Sequence, residues 1–134
     1  MKSYLVIALV AILFCSCRQS AIKQSFSTAD SVIIHFKDEQ AGVITKTVQT
    51  AETKAINRII EFMDATETEQ FKCGYDGKMF FYDDDKQIQE VDFKMKDPTC
   101  NHFAFLINGK IISTKMSDEA IDFLDALEKG MPYY

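Results

Sequence analysis

The sequence predicts a two-layer α+β domain, an antiparallel sheet of about four to six strands with two helices packed on one face, in the order β(β)-α-β-β-β-β-α. Three observations carry this. The spacing of apolar residues changes from every second position to a helical period and back again along the chain. Turn signals divide residues 70–116 into short segments, Asn108-Gly109 and Asp76-Gly77 among them. A capped amphipathic segment closes the chain. A length of 134 residues, 47% of them hydrophobic and only two of them proline, suits one compact domain.

Each element follows from its residues. In Ser31 to Phe36, Val32, Ile34 and Phe36 alternate with Ile33 and His35, which fits a strand. Gly42 to Val48 supplies a second, with Asp38 to Gly42 as the turn. From Thr50, the expected N-cap, Ile56, Ile59, Ile60 and Met63 fall on one face of a helix, and Glu52, Lys54, Arg58 and Glu61 lie largely off that face. Four strands then follow, divided at Asp76-Gly77, Asp83 to Lys86, Lys96 to Thr99 and Asn108-Gly109. Within Gln89 to Met95, Val91, Phe93 and Met95 alternate with Glu90, Asp92 and Lys94, so one sheet face should be buried and the other wet. Ser117 caps the last helix, Asp118 and Glu119 favour its positive end, Ala120, Phe123, Leu124 and Leu127 form its apolar side, and Gly130 ends it. This order resembles the β-α-β4-α plan of TATA-box-binding-like and related two-layer folds, a resemblance of architecture that implies no activity.

Charge narrows the function. A net charge of -5 repels phosphate polymers, and no basic cluster is present, so nucleic acid is not an expected partner.

The N-terminus carries the strongest signal. Lys2 precedes the apolar run Tyr4 to Phe14, which ends at Cys15, Ser16 and Cys17. Charge, short apolar core and small residue in that order make a secretory signal peptide, and the run is shorter than the roughly 18 to 20 residues that span a bilayer. The stretch Leu13 to Cys17 resembles the lipobox of bacterial lipoproteins, with Ser16 before a Cys17 that becomes the lipidated N-terminus. The resemblance implies a signal peptide over 1–16, a lipid-anchored Cys17 with a flexible linker over 17–30, and a domain over 31–134. The alternative is a secreted protein cut near Ser16 and left without lipid. Arg18 to Asp30 is polar and rich in serine, and fully extended it would reach on the order of 40 Å. With Cys15 removed and Cys17 acylated, Cys73 and Cys100 remain as a pair, which an oxidising envelope would join.

Catalytic chemistry is poorly represented. Cys73, Cys100, His102 and His35 make a nominal Cys2His2 set, but the paired spacing of recognisable zinc sites is missing, and no CxxC lowers a thiol pKa. No nucleophile elbow, HExxH, P-loop or dinucleotide fingerprint occurs. Asp83 to Asp85 lacks the alternating acids of a calcium loop and reads as a solvated turn, and Asp118, Asp122 and Asp125 read as a wet helix face. No cofactor is called for. The aromatic density between Phe71 and Phe105 is the one feature with functional colour. If helices cover one face only, some of Tyr75, Phe80, Tyr82, Ala104 and Leu106 lie on the other as a patch for an envelope protein or an apolar ligand, unless loops, the first hairpin or Tyr133-Tyr134 cover it. The expected function is a non-catalytic binding module, accessory or inhibitor-like, anchored by lipid in the cell envelope and facing the periplasm. The alternative is a small envelope enzyme or metal carrier using His35, His102 and the cysteines.

Overall fold

The computed structural model describes residues 20–131. The leader expected over 1–16, Cys17, and Tyr133-Tyr134 lie outside these residues. The elements are α1 (Ala21–Ser25), β1 (Ser31–Lys37), β2 (Ile44–Thr50), α2 (Thr53–Met63), β3 (Gly77–Asp83), β4 (Lys86–Lys94), β5 (His102–Ile107), β6 (Lys110–Lys115) and α3 (Asp118–Lys129). All six strands form one antiparallel sheet in the order β2-β1-β3-β4-β5-β6. The two-layer α+β fold is therefore as expected, with a third, short helix added.

Alternation decides which face is buried. Val32, Ile34 and Phe36 of β1 lie opposite Phe81, Met79 and Gly77 of β3. Val91 and Phe93 of β4 lie opposite Phe105 and Phe103 of β5. These residues form the front face and are buried. They share one core with Ile56, Ile59, Ile60 and Met63 of α2 and with Ala120, Phe123 and Leu124 of α3. The helix layer is itself joined where Phe62 meets Phe123 edge-on at 5.4 Å.

Turn chemistry sets the hairpins. Asp84 and Asp85 both have positive φ, as do Asn108 and Gly109, the pattern of the two-residue turns that suit strand twist. The Asp84 turn is also held from outside, its N–H donating to Asp30 Oδ2 at 2.9 Å. Ser117 caps α3 by accepting from Ala120 N, and Gly130 closes it in the left-handed conformation.

Three expectations are corrected. The linker expected over 17–30 is folded over its described part, residues 20–30. Ser20 caps α1 by accepting from Lys23 N, and Phe26 is fully buried, its ring edge-on to Phe81 at 4.8 Å and to Phe105 at 5.7 Å. Phe26, with Ile22 and Ala29 packed beside it, holds this polar segment on the core. Secondly, α2 begins after Glu52, and Thr50 instead accepts from the Glu52 N–H through its hydroxyl. Thirdly, Asp76-Gly77 is not a hairpin turn. Gly77 is a buried strand residue opposite Phe36 and Phe93, where any side chain would run into the Phe93 ring and the His35 carbonyl. The chain before it forms no strand of the meander.

That chain is a strap. After α2, Thr66 to Thr68 pairs along the free edge of β6, with Lys115 N–H donating to Thr66 O at 2.8 Å and Thr68 N–H to Ser113 O at 2.9 Å. Residues 69–76 then cross beneath the sheet to enter β3 in its middle. One edge of the sheet is thus covered, and β2 forms the other.

Candidate functional site

The back face of the sheet, opposite the helices, is built from two rows. His35, Lys78, Asp92, Ala104 and Ser113 lie side by side on β1, β3, β4, β5 and β6. The next row holds Ile33, Phe80 and Glu90, with Leu106 opposite Ile111 beyond. At one end, the strap covers this face. His102 lies under the rings of Phe71 and Tyr75, with centroids at 5.2 and 5.7 Å, and is 1% exposed.

Two devices fix the strap. Cys73 and Cys100 form a disulfide, with Cα atoms 6.5 Å apart, tying it to the connection between β4 and β5. The buried Asp76 carboxylate accepts from Met95 N at 2.8 Å and Lys96 N at 2.9 Å, and lies 3.4 Å from Lys94 Nζ. Glu39, from the turn between β1 and β2, also pairs with Lys94. Lys94 was expected on a wet face, yet it is 4% exposed, because the strap and that turn enclose it. Its ammonium is pushed down by burial, but Glu39 and Asp76 outweigh this and hold it above its ordinary value.

Removing the disulfide tests the strap. On the chain-entropy account, replacing both cysteines by serine should lower stability by about 3 kcal/mol, read as an earlier urea midpoint, with faster amide exchange in residues 69–75. An unchanged midpoint would show that the strap is held without it.

Beyond the strap the face is open. A depression of about 360 Å³ is lined by Tyr75, Glu90, Asp92, Ala104, Leu106 and Ile111. Leu106 and Ile111 are 51% and 50% exposed. Lys78 pairs with Glu90 and lies 3.5 Å from Asp92, so two carboxylates share one ammonium and leave a net negative wall. The hydrogen bond to Glu90 raises the Lys78 pKa most, which keeps it charged. Burial and then the Asp92 charge raise the Tyr75 phenol, so its hydroxyl stays protonated and able to donate. The depression thus offers an apolar floor, a donor hydroxyl and a carboxylate wall.

Of the residues singled out in the sequence, Tyr75, Ala104 and Leu106 meet in this depression. Phe80 and Tyr82 share its face but stand on β3, on the far side of Glu90, half-buried, with Phe80 edge-on to His35 at 5.3 Å. His35 and His102 are not brought together. Three strand spacings, about 14 Å, separate β1 from β5, and the two are offset along the strands. Among the described residues, no group of three or more His, Cys, Asp or Glu is placed to hold a metal ion. His102 Nδ1–H donates to Cys100 O at 2.6 Å, and its Nε2, like Ser113 Oγ and Thr114 Oγ1, is buried with no partner among the described residues. Sequence reasoning missed Ile111, Glu90 and Asp92. The Asn108-Gly109 turn carried the signal for Ile111, since a two-residue hairpin sets Leu106 opposite it.

Among the described residues no helix is long and apolar enough to cross a membrane. Compared with protein-family models, curated proteins and solved structures, the chain gives no match.

Proposed function

We propose that this protein is a non-catalytic binding module of the bacterial cell envelope, anchored through lipid on Cys17, and that it takes its partner on the back face of the sheet. The observation that carries the reading is the open depression beside the strap. Leu106 and Ile111 stay half-exposed there, whereas Val91, Phe93, Phe103 and Phe105 on the front face are buried. Apolar side chains left in water beside fixed charges mark a surface suited to association. The partner group that fits is an apolar side chain flanked by a positive charge, which would displace Lys78 from one of its two carboxylates.

Photo-crosslinking residues placed at Leu106 and Ile111, in cells that produce the lipidated protein, test it. The expected result is one adduct of defined mass from both positions. That adduct should be absent from Lys129 on α3 and lost when Glu90→Arg reverses the wall. Equal labelling from all three positions, or an adduct insensitive to Glu90→Arg, would remove the back face as the binding surface.

A further inference from the structure

The lipid anchor proposed above has a geometric consequence for how the domain sits. Only Arg18 and Gln19 separate Cys17 from Ser20, the N-cap of α1 and the first described residue. Three Cα steps span at most about 10 Å. Ser20 stands in the helix layer. Lys23 pairs with Asp64, at the C-terminal end of α2, at 3.6 Å, and Phe26 rests on front-face rings. A helix with its side chains is about 10 to 12 Å across, so the helix layer alone is as thick as the tether is long. The back face lies beyond that layer and cannot be laid flat on the bilayer that carries the anchor.

We infer that the anchored protein rides with the α1 side of its helix layer against the lipid headgroups and presents the Leu106–Ile111 face away from them. Charge does not choose the edge, because Lys23 of α1 is paired with Asp64 and Asp125 of α3 with Lys129; the length of the tether sets it. The partner of the back face therefore approaches from the aqueous side, and that face is not a second membrane contact.

The chain contains no tryptophan, so a single introduced one is an unambiguous reporter. Ala21→Trp places it on an exposed position of α1, and Leu106→Trp on the open back face; Gln24→Trp and Ile111→Trp provide a second pair should either fail to fold. The lipidated variants are reconstituted in vesicles containing spin-labelled headgroups. The expected result is loss of most of the A21W emission, with L106W emission as in unlabelled vesicles. Quenching of L106W as strong as that of A21W, in protein that floats with the vesicles, would leave the anchor standing and overturn the orientation. Protein that fails to float carries no anchor, and the orientation falls together with the reading it rests on.

Discussion

Replacing Phe26 by alanine is expected to lower the unfolding free energy by about 3 to 5 kcal/mol, the range for truncating a fully buried aromatic. The ring is wholly enclosed between Phe81 and Phe105, and Ile22 and Ala29 pack against the same core. Without it, α1 has five residues and no other buried side chain. So short a helix does not persist alone in water. The substitution should therefore both open a cavity and release residues 20–29, visible as rapid amide exchange there. Urea unfolding monitored by circular dichroism gives the free energy. Ser27→Ala, at an exposed position in the same segment, should change little. A loss below about 1 kcal/mol for Phe26→Ala, within the range of surface changes, would mean that this segment behaves as the polar tether its composition suggests.

Asp76→Ala is expected to cost a similar amount, about 3 to 5 kcal/mol, because it leaves two amides without an acceptor and a buried ammonium with one carboxylate fewer inside the protein. Lys94 would keep Glu39, which is itself half-exposed, but lose the carboxylate at 3.4 Å, and Met95 and Lys96 would lose their N–H acceptor. Asp76→Asn retains an acceptor and should fall between. The same cluster sets an alkaline limb. A lysine whose pKa is raised by folding contributes stability that is fully present below its ordinary value of 10.5 and is lost as pH rises through the folded value. Wild-type stability should therefore decline above that pH, and Lys94→Met should decline less steeply. Identical alkaline limbs would show that the ammonium contributes nothing.

The two layers were legible because period and turns agree. Val32, Ile34 and Phe36 announce a half-buried strand, Ile56 to Met63 a helical stripe, and Asn108-Gly109 a hairpin, each from neighbouring residues alone. What was illegible depends on contacts distant in sequence. Nothing local distinguishes Phe26 from a solvent-facing aromatic in a tether. Its burial is decided by Phe81 and Phe105, which lie far along the chain. Asp-Gly at 76–77 reads locally as a turn, yet Asp76 is held by the amides after β4, and Gly77 is small because Phe93 needs the space. The site was half legible for the same reason. Alternation put Leu106 on the open face and Glu90 with Asp92 on the wet face of their strand, whereas their sharing of Lys78 and their place beside Leu106 arise only when β4 is set between β3 and β5.

The proposed role of the protein turns on what is attached to Cys17 and what joins Cys73 to Cys100. The most direct measurement is the intact mass of the protein extracted from its own membranes, taken with and without reductant. The expected species starts at Cys17, carries acyl chains, and gains the mass of two hydrogens on reduction. A species that retains its leader, or that starts elsewhere without lipid and has free thiols, would contradict the anchored, strapped binding module proposed for this chain.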